Sequence, residues 1–124
     1  MSASIPILKI GANLLATVQI ELSDTVSDAF QQDLLTTIEE CGATGLVVDI
    51  SALDTVDSYV ARMLANTGKM TRLMGTETVV VGMRPEVAAT LVRMGYIFEG
   101  VNTALSLEEG LAQLDRAAAK GKGR

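Results

Sequence analysis

The run Gly45-Leu46-Val47-Val48-Asp49-Ile50 is apolar at almost every position, and helical periodicity stands on both sides of it. No other feature constrains the fold as much. A segment this short and this apolar reads as a strand buried on both faces. Such a strand needs cover above and below, which amphipathic helices supply. Thr78-Val79-Val80-Val81 repeats the pattern further along, again between helical segments. Strands joined by helical crossovers run parallel, so the centre of the sheet is expected to be parallel.

The remaining segments fit around that centre. From Leu14 to Leu22, apolar Leu14, Ala16, Val18, Ile20 and Leu22 alternate with Leu15, Thr17, Gln19 and Glu21, as in a strand with one buried face. Ile5–Ile10 also reads as extended, with Gly11-Ala12-Asn13 as the turn and Pro6 placing this first strand on an edge. Val26, Phe30, Leu34, Ile38 and Cys41 then recur at helical spacing, with Ser23 or Ser27 as cap and Gly42 as stop. A second helix is expected from about Ser58 to Met74, with Val60, Leu64, Thr67, Thr71 and Met74 on one face and Gly75 as stop. Arg84-Pro85-Glu86 opens a third, which buries Val87, Leu91 and Met94 and ends at Gly95. Ile97-Phe98 marks one more short strand, and Ser106-Leu107-Glu108-Glu109 has capping-box spacing for a last helix carrying Leu107, Leu111 and Leu114. The expected fold class is α/β, a single domain with a four- to five-stranded mixed sheet and about four helices. It is expected over residues 1–118, with 119–124 as a short, basic, flexible tail.

At 124 residues and 48% hydrophobic content, the chain has material for one core and not for two. No uninterrupted apolar stretch approaches the ~20 residues that span a bilayer. Met1-Ser2-Ala3-Ser4-Ile5-Pro6 lacks a basic leader region, so a cytoplasmic location is expected. A formal net charge of -5 repels nucleic acid and anionic lipid, so neither is an expected partner. The single Cys41 allows no internal disulfide and, at a helical apolar position, reads as a small core residue. Histidine and tryptophan are both missing, which removes the commonest general base and leaves a poor set for stacking on bases. No cofactor and no metal site is expected.

In open α/β sheets, function tends to lie beyond the carboxyl ends of the strands. The segment leaving the central strand carries three carboxylates, Asp49, Asp54 and Asp57, and three aliphatic hydroxyls, Ser51, Thr55 and Ser58. A phosphoryl-accepting aspartate with magnesium calls for an early acidic pair and a lysine on a later strand, where this chain offers only Arg84. A nucleophilic Ser58 would have no histidine to activate it and no Ser-x-x-Lys pairing. Glycines at phosphate-loop spacing are missing as well. Another role is open to Ser58, that of substrate. As the first or capping residue of a helix, it would lie near free backbone N–H groups and the positive end of the helix dipole. A phosphate there adds about -1.5 to -2 charges, accommodated by the terminus but opposed by Asp54, Asp57 and any acidic partner. From the pattern alone, a plain helix cap at Asp57 or Ser58 with a solvated acidic rim is the simpler explanation.

The run Leu46-Val47-Val48-Asp49-Ile50-Ser51-Ala52-Leu53-Asp54-Thr55-Val56-Asp57-Ser58-Tyr59-Val60-Ala61 resembles the signature of STAS domains, the anti-sigma-factor antagonist family. Within that family it is most similar to the small scaffold members of bacterial stressosomes. Arg72-Leu73-Met74-Gly75, Val81-Gly82-Met83-Arg84-Pro85-Glu86-Val87-Ala88 and Thr90-Leu91-Val92-Arg93-Met94-Gly95 continue the resemblance in order. It implies a non-enzymatic scaffold and negative regulator of stress signalling, which assembles with larger sensor paralogues bearing the same domain at their C-terminus. It also implies a sequestered serine/threonine kinase of the histidine-kinase-like ATPase type, released when the scaffold is phosphorylated on the serine matching Ser58. Asp54, Thr55 and Asp57 share the acceptor loop with Ser58, Thr55 reading as structural, and Tyr59 and Arg62 are candidate partner contacts because they lie near the expected helix start. Met63 and Met70 fit helix packing and an adaptable interface equally well. Sporulation-type antagonists continue the acceptor motif as Asp-Ser-Ser-Gly, whereas Asp57-Ser58 is followed here by Tyr59-Val60. That departure favours the stressosome branch, and the missing N-terminal extension favours scaffold over sensor. The alternative is a simple antagonist binding an anti-sigma kinase one-to-one, and a third class is a small hydrolase using Asp54 or Asp57.

Overall fold

The computed structural model describes residues 5–19, 23–95 and 101–122. The chain enters as a hairpin. Strand β1 (Ile7–Ile10) pairs antiparallel with β2 (Asn13–Thr17), Ile7 lying opposite Ala16, and Gly11 at φ +60° makes the turn between them. Strands β3 (Gly45–Asp49), β4 (Glu77–Val81) and β5 (Val101–Ala104) then add in parallel, so the sheet order is β1-β2-β3-β4-β5. Backbone bonds from Val18 N to Asp49 O and from Ile50 N to Val81 O, both 3.0 Å, prolong the parallel ladders past the strand ends.

Between the parallel strands run α1 (Asp24–Cys41), α2 (Ser58–Leu73) and, after β4, α3 (Pro85–Arg93). Crossovers of one hand that always step in the same direction place their helices on the same face of a sheet. Accordingly Phe30 and Leu34 of α1, Leu64 of α2 and Leu91 of α3 share one core with Leu46, Val48 and Val80 of the sheet. The last helix, α4 (Leu107–Lys122), covers the opposite face, where Leu114 packs with Val47, Val79 and Val81. Successive residues of β3 thus serve two cores, and Leu46, Val47 and Val48 are each at most 1% exposed. Full burial of such a side chain is worth about 1.5–3 kcal/mol. At Gly45, a Cβ would collide with Asn13 Oδ1 and stand 2.8 Å from Leu114 Cδ1, so the bare backbone is what admits α4 this closely.

Helix ends follow the chemistry of their residues. Ser23 caps α1, its hydroxyl accepting from Val26 N at 3.2 Å, and Gly42 closes it in the left-handed conformation at φ +67°. Pro85 stands in the first turn of α3, where its missing N–H costs nothing. Where α2 crosses the sheet, buried polar groups are paired: Thr71 Oγ1 lies 2.7 Å from Thr78 Oγ1, and Thr76 Oγ1 donates to Ala43 O at 3.0 Å.

Several expectations shift. The strand expected from Leu14 to Leu22 ends at Thr17, although Val18 stays buried, and Ile20 and Leu22 lie outside the described residues. Ser27, the second candidate cap, is instead buried inside α1. Met74, placed on the buried face of α2, is 42% exposed, because it is the cap residue after the helix and Gly75 at φ +81° turns the chain away. Met94 is only half-buried for the same reason, being the cap of α3. The expected strand at Ile97-Phe98 lies outside the described residues, whereas β5 forms at Val101–Ala104. Helix α4 continues to Lys122, through residues expected as tail, since Ala117-Ala118-Ala119 favours helix. No helix among the described residues is long and apolar enough to cross a membrane.

Candidate functional site

The parallel strands all end at one edge of the sheet, and α2 starts there after the loop that leaves β3. That loop is held from beneath by Ile50, fully buried, and by Val56, 6% exposed. Leu53 N donates to Ile50 O at 2.9 Å, which closes a tight turn. The Asp49 carboxylate accepts from Ser51 N at 2.9 Å, and Arg84 Nε donates to Ser51 O at 3.0 Å from the neighbouring loop. Gly82, at φ +76°, makes this approach possible, because a Cβ would come within 2.7 Å of Ser51 Cβ.

Asp57, in extended conformation at φ -95° and ψ 178°, is the cap of α2, its Oδ1 accepting from Val60 N at 2.9 Å. Ser58 is then the first helical residue and is exposed. The first turn of α2 contains no acidic residue, so the helix terminus is not already neutralised beyond its cap. Asp57→Ala should therefore lower the unfolding free energy by about 0.5–2 kcal/mol, read as a fall in the urea midpoint at constant m-value.

The sequence-predicted residues separate in a definite way. Asp54, Thr55, Asp57 and Ser58 are exposed in the loop and at the helix start, as is Arg62 one turn further on, while Tyr59 is half-buried. The three acids do not converge. Asp49 and Asp57 each serve a local turn, and among the described residues no group of three acidic, cysteine or histidine side chains could hold a metal ion. Met63 is 5% exposed and so belongs to the core. Cys41 is half-buried and packs against the same core.

One feature of this edge has no signature in the sequence. A cleft of about 130 Å³ opens between α1 and α2, with Ser27, Asp28 and Gln31 on one wall and Tyr59, Arg62, Met63 and Asn66 on the other. Gln31 Nε2 donates across to Thr67 Oγ1 at 3.1 Å, tying the helices together below it. Ser27 is 2% exposed, yet its Oγ has no hydrogen-bond partner among the described residues. Leaving a hydroxyl in that condition costs about 1–3 kcal/mol.

Comparison with known proteins agrees with this architecture. A family profile described as STAS domain matches residues 4–110. The S58E variant of RsbS from Moorella thermoacetica superposes with a TM-score of 0.81 at 36% identity, covering 93% of this chain and 97% of that one. A chain from a structure of the stressosome, described as a signal integration and transduction hub, gives a TM-score of 0.80 at 39% identity, covering 91% of this chain and 98% of that one. The RsbT co-antagonist protein RsbRD of Bacillus subtilis (strain 168) is 40% identical over 78 residues, 60% of this chain. The match takes in only 28% of the length of that relative. With its mixed five-stranded sheet, four helices and a family match over most of its length, the chain belongs to the STAS domain family.

Proposed function

We propose that the chain is a cytoplasmic, non-catalytic scaffold of a stressosome, a negative regulator that holds a serine/threonine kinase and lets it go when phosphorylated on Ser58. The observation that carries this reading is the placement of Ser58. It is exposed, it opens α2, and it follows an aspartate that already satisfies the helix cap. An exposed hydroxyl at a helix N-terminus whose cap is supplied by the preceding residue can take a phosphate at the positive end of the helix dipole without refolding. Likeness to RsbS across nearly the full length of both chains supports the same reading. The relative bears S58E, an acid in place of a hydroxyl, which imitates the charge of a phosphate. The longer RsbRD, which shares one region with this chain, supports co-assembly with larger paralogues.

Incubation with the cognate kinase and Mg-ATP should add one phosphate to the intact mass, and peptide mapping should place it on Ser58. Ser58→Ala should gain none. Labelling of Ser58→Ala at the wild-type rate removes the assignment. Mixing with a sensor paralogue should also produce a very large particle. A kinase complex without any large particle would select the simple one-to-one antagonist instead.

A further inference from the structure

Helices α1 and α2 both begin at the edge where β2 and β3 end, and the cleft lies between their first turns. Thr37, Thr67 and Thr90 each turn a hydroxyl back onto the carbonyl four residues earlier, the usual recourse of a helical hydroxyl. Ser27 does not. Its Oγ is buried and unpartnered among the described residues, and the residue lines the cleft. Buried side-chain hydroxyls left in this state are uncommon in native structures.

The wall chemistry defines what fits. Asp28 and Arg62 carry opposite charges, so the lining is neutral as a whole. Gln31 gives one amide N–H to Thr67, leaving its carbonyl oxygen as an acceptor and a second N–H as a donor. Arg62 and the Ser27 hydroxyl offer donors, and Asp28 offers acceptors. A neutral group that carries a donor and an acceptor on one carbon satisfies both sides, and a volume of about 130 Å³ admits one side chain.

We propose that this cleft receives a carboxamide side chain, asparagine or glutamine, from the kinase, and that phosphate on Ser58 disables it by drawing Arg62 away. The inference rests on the function proposed above. A kinase that reaches Ser58 must cover the first turns of α2, and those turns carry Tyr59 and Arg62. Residues four apart on a helix face one another, with Cβ atoms about 5–6 Å apart, so Arg62 stands one turn below Ser58 on the same stripe. A phosphate with about -1.5 to -2 charges outcompetes a neutral amide for a guanidinium. Release thus follows from one arginine serving two claimants.

The test measures kinase affinity and thermal melting for wild type, Ser27→Ala, Arg62→Gln, Ser58→Asp and the double variant Arg62→Gln/Ser58→Asp. Ser27→Ala should melt at or above the wild-type temperature and yet bind the kinase about fivefold or more weakly. Arg62→Gln should bind about tenfold more weakly, and Ser58→Asp should then add less than about twofold, against about tenfold in wild type. A lower melting temperature for Ser27→Ala makes the hydroxyl structural and overturns the site. Wild-type binding by both Ser27→Ala and Arg62→Gln, with Ser58→Asp still releasing the kinase, overturns the cleft and leaves the scaffold function standing. Full additivity in the double variant overturns the arginine linkage. A kinase that never binds wild type removes both readings together.

Discussion

The kinase should bind Ser58→Asp about tenfold or more weakly than wild type, a loss of about 1.4 kcal/mol, with the fold intact. The two halves of that expectation have separate causes. Within the domain, an added carboxylate at the first position of α2 meets the positive end of the helix, an interaction worth about 0.3–1 kcal/mol in favour of folding. Circular dichroism and melting temperature should therefore match wild type or exceed it slightly. Between proteins, the same charge joins Asp54 and Asp57 on an exposed rim of a chain with net charge -5. A partner surface shaped to a neutral hydroxyl then meets an acid that it must desolvate or repel. Authentic phosphorylation, with its larger charge, should weaken binding further. Unchanged affinity for both Ser58→Asp and the phosphorylated chain would end the release mechanism.

Phe30→Ala should cost about 3–5 kcal/mol of stability, a large share of the ~5–15 kcal/mol available to a domain. Phe30 is 2% exposed and heads the fully buried side chains by volume, joining the middle of α1 to the sheet core. Its removal leaves a void that β-branched neighbours such as Val48 and Val80, held in their strands, cannot refill. The melting temperature should fall by on the order of 10–20 °C. Because Ser27 and Gln31 flank Phe30 on α1, the cleft should loosen with it, and kinase affinity should drop even below the melting transition. Val92→Ala, at a residue 76% exposed, is the control and should stay within about 0.5 kcal/mol of wild type. An equal loss from both variants would contradict the two-core architecture.

Much of this fold was legible because its signals were local. The continuous apolar character of β3 and β4 predicted burial on both faces, and α4 on the far side from α1 to α3 supplies it. Gly42, Gly75 and Gly95, all at positive φ, end their helices where the sequence placed the stops. Strand β5 was missed because Asn102 and Thr103 are exposed, so an edge strand of four residues carries no periodic signature. Met74 misled because helical spacing continues one residue beyond the last helical turn.

The candidate site divides along the same line. Asp57 and Ser58 were visible as a cap motif at a helix start, although the motif did not say which residue would do the capping. The cleft was invisible, since it joins Ser27 to Arg62 and Asn66 across two helices. So was the bond from Arg84 to Ser51, 33 residues apart, which needs a left-handed Gly82 to bring the loops together. Local chemistry can be read from neighbours in sequence, whereas a shared pocket requires the crossing of elements.

The order β1-β2-β3-β4-β5 bears on how the chain assembles in time. Each strand pairs with the strand before it, so no strand has to wait for a pairing strand that is synthesised much later, although the far face of the sheet waits for α4. A growing chain can close its hairpin and lay down each crossover in turn, leaving unpaired only the outer side of β1 and its newest edge. The loop after β3 and the first turns of α2 are made before β4 is there to receive that helix. Under the proposed function, a phosphate added to a nascent chain would meet an incompletely docked α2.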